Sequence, residues 1–467
     1  MSAWIQTTND FILLGVENKL WLVKNISTCM SSKLLTAGEH DIDQNDGSSC
    51  ITELALPFSK SSPASQHIRN ENRTENSKTD NTVGQGETRE VAYPQTPTET
   101  MGIDDGLGQA VEESGKQTKP AHLTSVHMPV CQSYVLACTS DKRLLVWAQK
   151  DRCGSFPTSN QWELHSERKT PRKCVQVRLT GQVPPMILVA DRAGDVYEFS
   201  LDDSKAPPNL LMGRMSMLLD MALSPSDDFL VVCDRDEKIV VSHYPEAYNI
   251  IAFCLGHRRF VTSIELLPNH PNRLVSVSGD GLLILWNLEA GGVQLASANC
   301  WAEAQTVDQL LPFEQFHSRK DDQDVRPPLK KVLCQKNLVA VLYYRVPYVH
   351  IFRCDGSSLV SCGGVVTEAA VWSAAIDNCL RLWVLTPSLS VFQLDQSGKH
   401  YSVNLPSGLT LSMRKALSPL EGVTEVDPDL DVLFKQWFDN VEEYFKRKRR
   451  REEIQRRNNI KSTTEKI

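Results

Sequence analysis

The sequence has no apolar run longer than a strand: the longest, such as Phe11 to Val16, fall far short of the roughly 20 residues a helix needs to cross a bilayer. The first thirty residues show no basic segment leading into an apolar core. Neither a membrane span nor a secretory signal is therefore expected. None of the thirteen cysteines, scattered from Cys29 to Cys379, stands in a C-x-x-C pair. Their odd number and irregular spacing speak against a disulfide framework and a zinc site, and for buried apolar side chains and stray thiols in a reducing compartment. The eleven histidines occur singly, with no H-x-H or H-E-x-x-H pair to hold a metal. Also missing are the G-x-S-x-G elbow, the phosphate-cradling G-x-x-x-x-G-K-[ST] loop, and a glycine-rich strand-to-helix turn for a nucleotide or methyl donor. No catalytic residue, metal or cofactor is expected on this chain.

What is present is core material and uneven charge. Of 467 residues 41% are hydrophobic and 23% charged, and the net charge is −7. Residues 41–120 alone carry −7 and consist mostly of Ser, Thr, Asn, Glu, Gln and Gly. Such a stretch cannot bury enough surface to offset its ordering entropy, so a disordered acidic insertion is expected there. Residues 446–467 carry ten Lys/Arg against three acidic residues, and Lys446, Arg447, Lys448, Arg449, Arg450 and Arg451 are consecutive.

Residues 121–405 repeat one unit: an apolar strand, a turn with Asp or Gly, and a second strand that often ends in an aromatic. The clearest copy runs from Gly256-His257 through Gly279-Asp280-Gly281 to Trp286. The third strands close at Val23, Trp147, Phe199, Ser242, Trp286, Phe352 and Phe392, which makes seven units. The expected fold is all-β, a seven-bladed WD-repeat β-propeller formed by residues 1–40 and 121–411, with the insertion in its first blade. The N-terminal strands are expected to lock the ring against the last blade. In the best repeat His257, Ser276 or Ser278, Asp280 and Trp286 are expected to form a structural hydrogen-bond network. A catalytic Ser-His-Asp reading of the same residues is the weaker alternative.

Two further features stand outside the repeat. Asp234, Arg235, Asp236, Glu237 and Lys238 are consecutive between two apolar strands. They read either as a solvated turn or as a charge-complementary docking patch. Residues 412–445 form a linker and an amphipathic helix, with Leu430, Leu433, Phe434, Trp437, Phe438, Val441, Tyr444 and Phe445 on one stripe that runs into the basic tail.

The stretch MSMLLDMALSPSDDFLVVCDRDEKIVVSHYPEAYNIIAFCLGH at 215–257, with VADRAGDVYEFSL at 189–201 and SVSGDGLLILW at 276–286, resembles the WD-repeat non-catalytic subunit of tRNA (guanine-N7)-methyltransferase, the family that includes Wuho in insects. FILLGVENKLWLV near the start and the helix with its basic tail share in the resemblance. It implies a chain without chemistry of its own that forms a heterodimer with a separate catalytic methyltransferase subunit. That partner would carry S-adenosylmethionine, and the pair would form N7-methylguanosine in the tRNA variable loop. The family's docking loop matches Asp236, Glu237 and Lys238, with Asp234 and Arg235 before them. Where the family carries a supporting basic residue this chain has Val240. The basic run Lys446 to Arg451 fits tRNA phosphates, a nuclear import signal, or both, so the nucleus is the expected location.

The rival from another class is a substrate receptor of a cullin-type ubiquitin ligase, or a general interaction platform. Such receptors tend to end a repeat in Trp-Asp-x-Arg, whereas Trp286 is followed by Asn287 and Glu289, and Trp147 by Ala148 and Lys150. A propeller hydrolase would need acidic or nucleophilic side chains converging on the central channel.

Overall fold

The computed structural model describes residues 3–7, 11–16, 19–24, 51–54, 121–129, 131–149, 162–304, 326–404, 417, 430–435, 441–442 and 444–453. Within them lie seven four-stranded antiparallel sheets, each a meander of consecutive strands. Blade 1 comprises β1 to β4 (Ala3–Thr7, Phe11–Val16, Lys19–Lys24, Ile51–Leu54). Blade 2 comprises β5 to β8 (Leu123–His127, Tyr134–Thr139, Arg143–Gln149, Trp162–Lys169). Blade 3 comprises β9 to β12 (Cys174–Leu179, Met186–Asp191, Asp195–Ser200, Asn209–Gly213). Blade 4 comprises β13 to β16 (Leu218–Leu223, Phe229–Asp234, Lys238–His243, Ile250–Leu255). Blade 5 comprises β17 to β20 (Val261–Leu267, His270–Ser278, Leu282–Asn287, Val293–Asn299). Blade 6 comprises β21 to β24 (Leu329–Gln335, Leu338–Tyr343, Tyr348–Cys354, Leu359–Val366). Blade 7 comprises β25 to β28 (Ser373–Ile376, Arg381–Leu385, Leu389–Leu394, His400–Ser402).

The seven positions at which the repeat closes all fall on third strands, so the seven-bladed β-propeller is the fold. Burial explains the strand sequences. Several second strands are covered on both faces by neighbouring blades and read as apolar runs, as in Leu338–Tyr343, where all six residues are buried. Outer strands alternate, as in Trp162–Lys169, because one of their faces meets water. The core lies between blades. One cluster joins Val231, Ile239 and Val241 of blade 4 to Val261, Leu274 and Trp286 of blade 5, and similar clusters join blades 2 with 3, 3 with 4, 5 with 6, and 6 with 7.

The innermost strands β1, β5, β9, β13, β17, β21 and β25 each touch the next, and β25 touches β1. The N-terminal strands therefore do meet the last blade, but through packing rather than a shared sheet. The Ile5 amide donates to Ser373 Oγ at 3.4 Å and Thr7 Oγ1 to the Ile376 carbonyl at 2.9 Å.

Two expectations about the chain outside the repeat are corrected. Ile51–Leu54, inside the stretch read as a disordered insertion, is the fourth strand of blade 1 and pairs with β3. Its Ile-Thr-Glu-Leu alternation is a strand signal that the surrounding polar composition hid. The rest of 41–120 lies outside the described residues. The C-terminal stripe does not form one continuous docked helix. Leu430–Leu433 is a short helix (α2, after α1 at Cys300–Ala304), and residues 434–435 leave it. Helical backbone returns at 441–442 and 444–453. Leu430 and Leu433 are buried, whereas Val441, Tyr444 and Phe445 are exposed; Trp437 and Phe438 lie outside the described residues.

Candidate partner-docking site

The network of blade 5 shows which polar residues the fold itself consumes. His257 Nδ1 lies 3.1 Å from Asp280 Oδ2, and His257 Nε2 lies 2.7 Å from Ser276 Oγ. Trp286 Nε1 donates to the same Ser276 oxygen at 2.8 Å. Each group is satisfied when Nδ1–H donates to the carboxylate and the serine hydroxyl donates to Nε2. Burial by itself acts to raise the Asp280 carboxyl. The His257 contact and the Arg258 and Leu282 amides outweigh it and hold the group below its ordinary value. Ser278 is outside this relay: its hydroxyl donates to the Arg259 carbonyl at 3.1 Å and accepts from the Asp280 amide at 3.2 Å, pinning the turn. The order Ser-His-Asp imitates a catalytic triad, but Ser276 has no exposed surface and its oxygen is closed off by the indole. A substrate has no route to it.

Acidic side chains do converge on the channel. A cavity of about 230 Å³ is bounded by the innermost strands, with Gln176, Arg178, Asp220, Glu265 and Lys331 among its lining. Asp220 is committed to structure, accepting from Gln176 Nε2 at 2.7 Å, Ser263 Oγ at 2.8 Å and the Met221 and Ile264 amides.

The charged loop of blade 4 sits between β14 and β15. Its backbone is a turn that the propeller uses repeatedly. Asp234 Oδ1 accepts from the amides of Asp236 at 2.8 Å and Lys238 at 3.1 Å. Asp191 and Asp377 accept from the same relative positions in blades 3 and 7. Asp234 is accordingly buried, and burial raises its carboxyl from the ordinary value. It builds the turn and is not offered to a partner, contrary to its grouping with the docking residues. Val240 is corrected in the same way: at 1% exposure it packs between blades 3 and 4 with Leu188, Val196 and Leu230, out of reach of any docked protein. Side chains alternate between the two faces of β15 and both faces are covered, Val240 by blade 3 and Ile239 and Val241 by blade 5.

Arg235, Asp236 and Glu237 are partly exposed and Lys238 is exposed. Glu237 has φ 75°, in the slot that Gly194 and Gly281 fill in blades 3 and 5. A side chain in this left-handed conformation costs about 1–2 kcal/mol. Lys142 and Leu380 hold the same slot elsewhere, so the fold tolerates the strain, but only Glu237 among the five puts a carboxylate there.

The loop has a neighbour that sequence reasoning missed. Lys435 Nζ lies 2.9 Å from Glu237 Oε1 and 3.4 Å from Asp236 Oδ1. Both carboxylates hold the ammonium above its ordinary value, although its partial burial acts the other way. Leu430 and Leu433 pack on Phe260, with Met217, Leu219 and Tyr344 around them. The rings of Phe434 and Phe260 meet edge to face at 5.1 Å, and the Arg259 guanidinium stands 5.9 Å from the Phe434 ring. The amphipathic spacing signalled that Leu430 and Leu433 bury; nothing in a linear pattern pairs Lys435 with Glu237, 198 residues away.

The predicted RNA-binding residues Lys446 to Arg451 are all exposed on the helical segment 444–453, and Lys446 pairs with Glu442 at 2.9 Å. Among the described residues no group of His, Cys, Asp and Glu is arranged to hold a metal, and no helix is long and apolar enough to cross a membrane.

The family model described as the tRNA methyltransferase TRM82 WD40 domain matches residues 57–210 and 201–370. The chain is 33% identical over 324 residues to the tRNA (guanine-N(7)-)-methyltransferase non-catalytic subunit WDR4 of Homo sapiens, covering 68% of this chain and 73% of that protein. The chain belongs to this family of non-catalytic tRNA methyltransferase subunits. The wuho subunit of Drosophila mojavensis is 29% identical over 293 residues, covering 59% of this chain and 68% of that protein. Among solved structures, a chain of the "Crystal Structure of Mitotic Checkpoint Complex" superposes with a TM-score of 0.51 at 9% identity, over 82% of this chain and 84% of that one, a likeness of fold alone. Family membership makes the protein a non-catalytic subunit of the methyltransferase complex.

Proposed function

We propose that this chain is the scaffold that binds and stabilises the catalytic subunit of a tRNA (guanine-N7)-methyltransferase, as one half of a heterodimer that forms N7-methylguanosine in the tRNA variable loop. The observation that carries the reading is its membership of a family whose relatives are named non-catalytic subunits of that enzyme. The surface supports it. Arg235, Asp236, Glu237 and Lys238 present both signs of charge in one rigid turn, the arrangement that fixes the orientation of a partner and speeds encounter. S-adenosylmethionine belongs on the catalytic subunit.

Lys446 to Arg451 extend the reading to tRNA. On a helix six consecutive cations spread around the axis, so one line of phosphates meets a face such as Arg447, Arg450 and Arg451 rather than all six. The same run serves as the import signal for a nuclear location, which a fluorescent fusion with and without residues 446–451 tests: loss of nuclear accumulation on deletion is expected.

The deciding experiment is a tRNA methylation assay with S-adenosylmethionine on this chain alone, the catalytic subunit alone and the two together. Activity that rises strongly in the mixture is expected; an active catalytic subunit that gains nothing sinks the scaffold reading. Reversing the charges of Glu237 and Lys238 together is expected to lower co-purification of the catalytic subunit while the propeller's melting temperature stays unchanged.

A further inference from the structure

The acidic pair of the docking loop is already in use. Lys435 bridges Asp236 and Glu237 from a six-residue segment, 430–435, that has two unlike halves. Its foot is apolar: Leu430 and Leu433 are buried against the propeller and the partly buried Phe434 meets Phe260 edge to face. Its tip is an ion pair in partial contact with water, with 46% of the lysine side chain and 37% of each carboxylate side chain exposed. Burial holds the foot in place, whereas an exposed ion pair adds little and is readily exchanged.

With Lys435 seated, the patch counts Arg235, Lys238 and Lys435 against Asp236 and Glu237, and is cationic. With Lys435 swung away it is balanced, and two adjacent carboxylates are open to one incoming cation. We propose that Lys435 is an intramolecular occupant of the Asp236–Glu237 pair, and that the catalytic subunit docks by inserting a basic side chain that displaces it. This rests on the reading of 234–238 as the docking loop. The tether keeps Lys435 at high effective concentration beside the pair, so it competes with every approaching cation. A planar guanidinium that can engage both carboxylates is the side chain best suited to win, because the ammonium is a point charge. Displacing the tip does not require the foot to leave. The six residue-to-residue steps from Lys435 to Val441 span at most about 21 Å when extended, so the start of the basic helix stays within that distance of Lys435 in either state.

The test is equilibrium and kinetic binding of the purified catalytic subunit to the full chain at low and high salt, comparing wild type with Lys435→Ala, Lys435→Met and Glu237→Lys. Removal of the competing cation is expected to tighten binding about two- to fivefold at low salt, through faster association, with the gain shrinking at high salt. Equal melting temperatures verify that the foot remains packed. If Glu237→Lys leaves affinity unchanged, the loop is not the docking site and both readings fall. If Glu237→Lys weakens binding while the Lys435 variants bind like wild type, the exchange alone is refuted. Weaker binding by both Lys435 variants also overturns it, and makes Lys435 a direct contact of the partner.

Discussion

Ser276 Oγ accepts a hydrogen bond from the Trp286 indole N–H and donates one to His257 Nε2, so a single hydroxyl satisfies two buried groups. Ser276→Ala strands both, at a cost of about 1–3 kcal/mol for unpaired buried polar groups. The expected result is a lower melting temperature with unchanged affinity of the folded fraction for the catalytic subunit; a binding defect without a stability defect contradicts the structural role. Glu237 is the opposite kind of residue. Its positive φ is a conformation that glycine adopts without strain, so Glu237→Gly removes strain of about 1–2 kcal/mol against the smaller entropic cost of glycine. Calorimetry is expected to show no loss of stability, while binding of the catalytic subunit falls. A destabilised Glu237→Gly variant would place the carboxylate in the fold rather than the interface.

At the scale of elements, the C-terminal region divides its work between a seated segment and an exposed helix. Leu430 and Leu433 are buried, and Lys446 to Arg451 are all exposed. If the helix meets phosphates with one face, substituting Arg447, Arg450 and Arg451 by alanine removes about three contacts. Each contributes about 0.7–0.9 to the slope of log affinity against log salt. The slope for tRNA is expected to fall by about 2–3 in a salt titration, and an unchanged slope removes this helix from the RNA path. The docking loop is an element of the same kind as the turns at Asp191 and Asp377, and it differs in the side chains it displays rather than in its backbone.

For the whole molecule, closing seven blades into a ring brings together groups that no single blade contains. Arg178 of blade 3, Asp220 of blade 4, Glu265 of blade 5 and Lys331 of blade 6 meet around the channel. Burial, and to a lesser degree the Asp220 charge, pushes the Glu265 carboxyl up to about 7, against the pull of Arg178 and Lys331. The folded state thus keeps a proton through a range, from the ordinary value of 4.5 up to about 7, in which the unfolded chain has released it. The stability contributed by protonated Glu265 is present below that range and is lost as pH rises through it. Glu265→Gln lacks this loss. The melting temperature of the variant minus that of wild type is expected to grow as pH is raised from about 5 to about 7.5, and a difference that stays constant with pH refutes the shift.

The sequence by itself determined the seven blades, because strand burial and turn chemistry are local and recur at a spacing that residues such as Trp147, Trp286 and Phe352 mark. It also determined His257, Asp280 and Trp286 as one set, since a tight turn and its flanking strands hold them together. Ile51–Leu54 escaped notice because four alternating residues carry little signal inside a polar stretch. Only the tertiary structure decided between Ser276 and Ser278, which lie on one strand two residues apart and face the same side, so register and not pattern selects the one within reach of His257. Only it buried Asp234, whose side chain closes a turn beside the partly exposed Arg235 and Asp236, and placed Val240 in an interblade core rather than at the loop surface. The contact of Lys435 with Glu237 is of the same kind: it joins segments 198 residues apart, and such a pairing exists only once the ring is closed and the C-terminal foot has found Phe260.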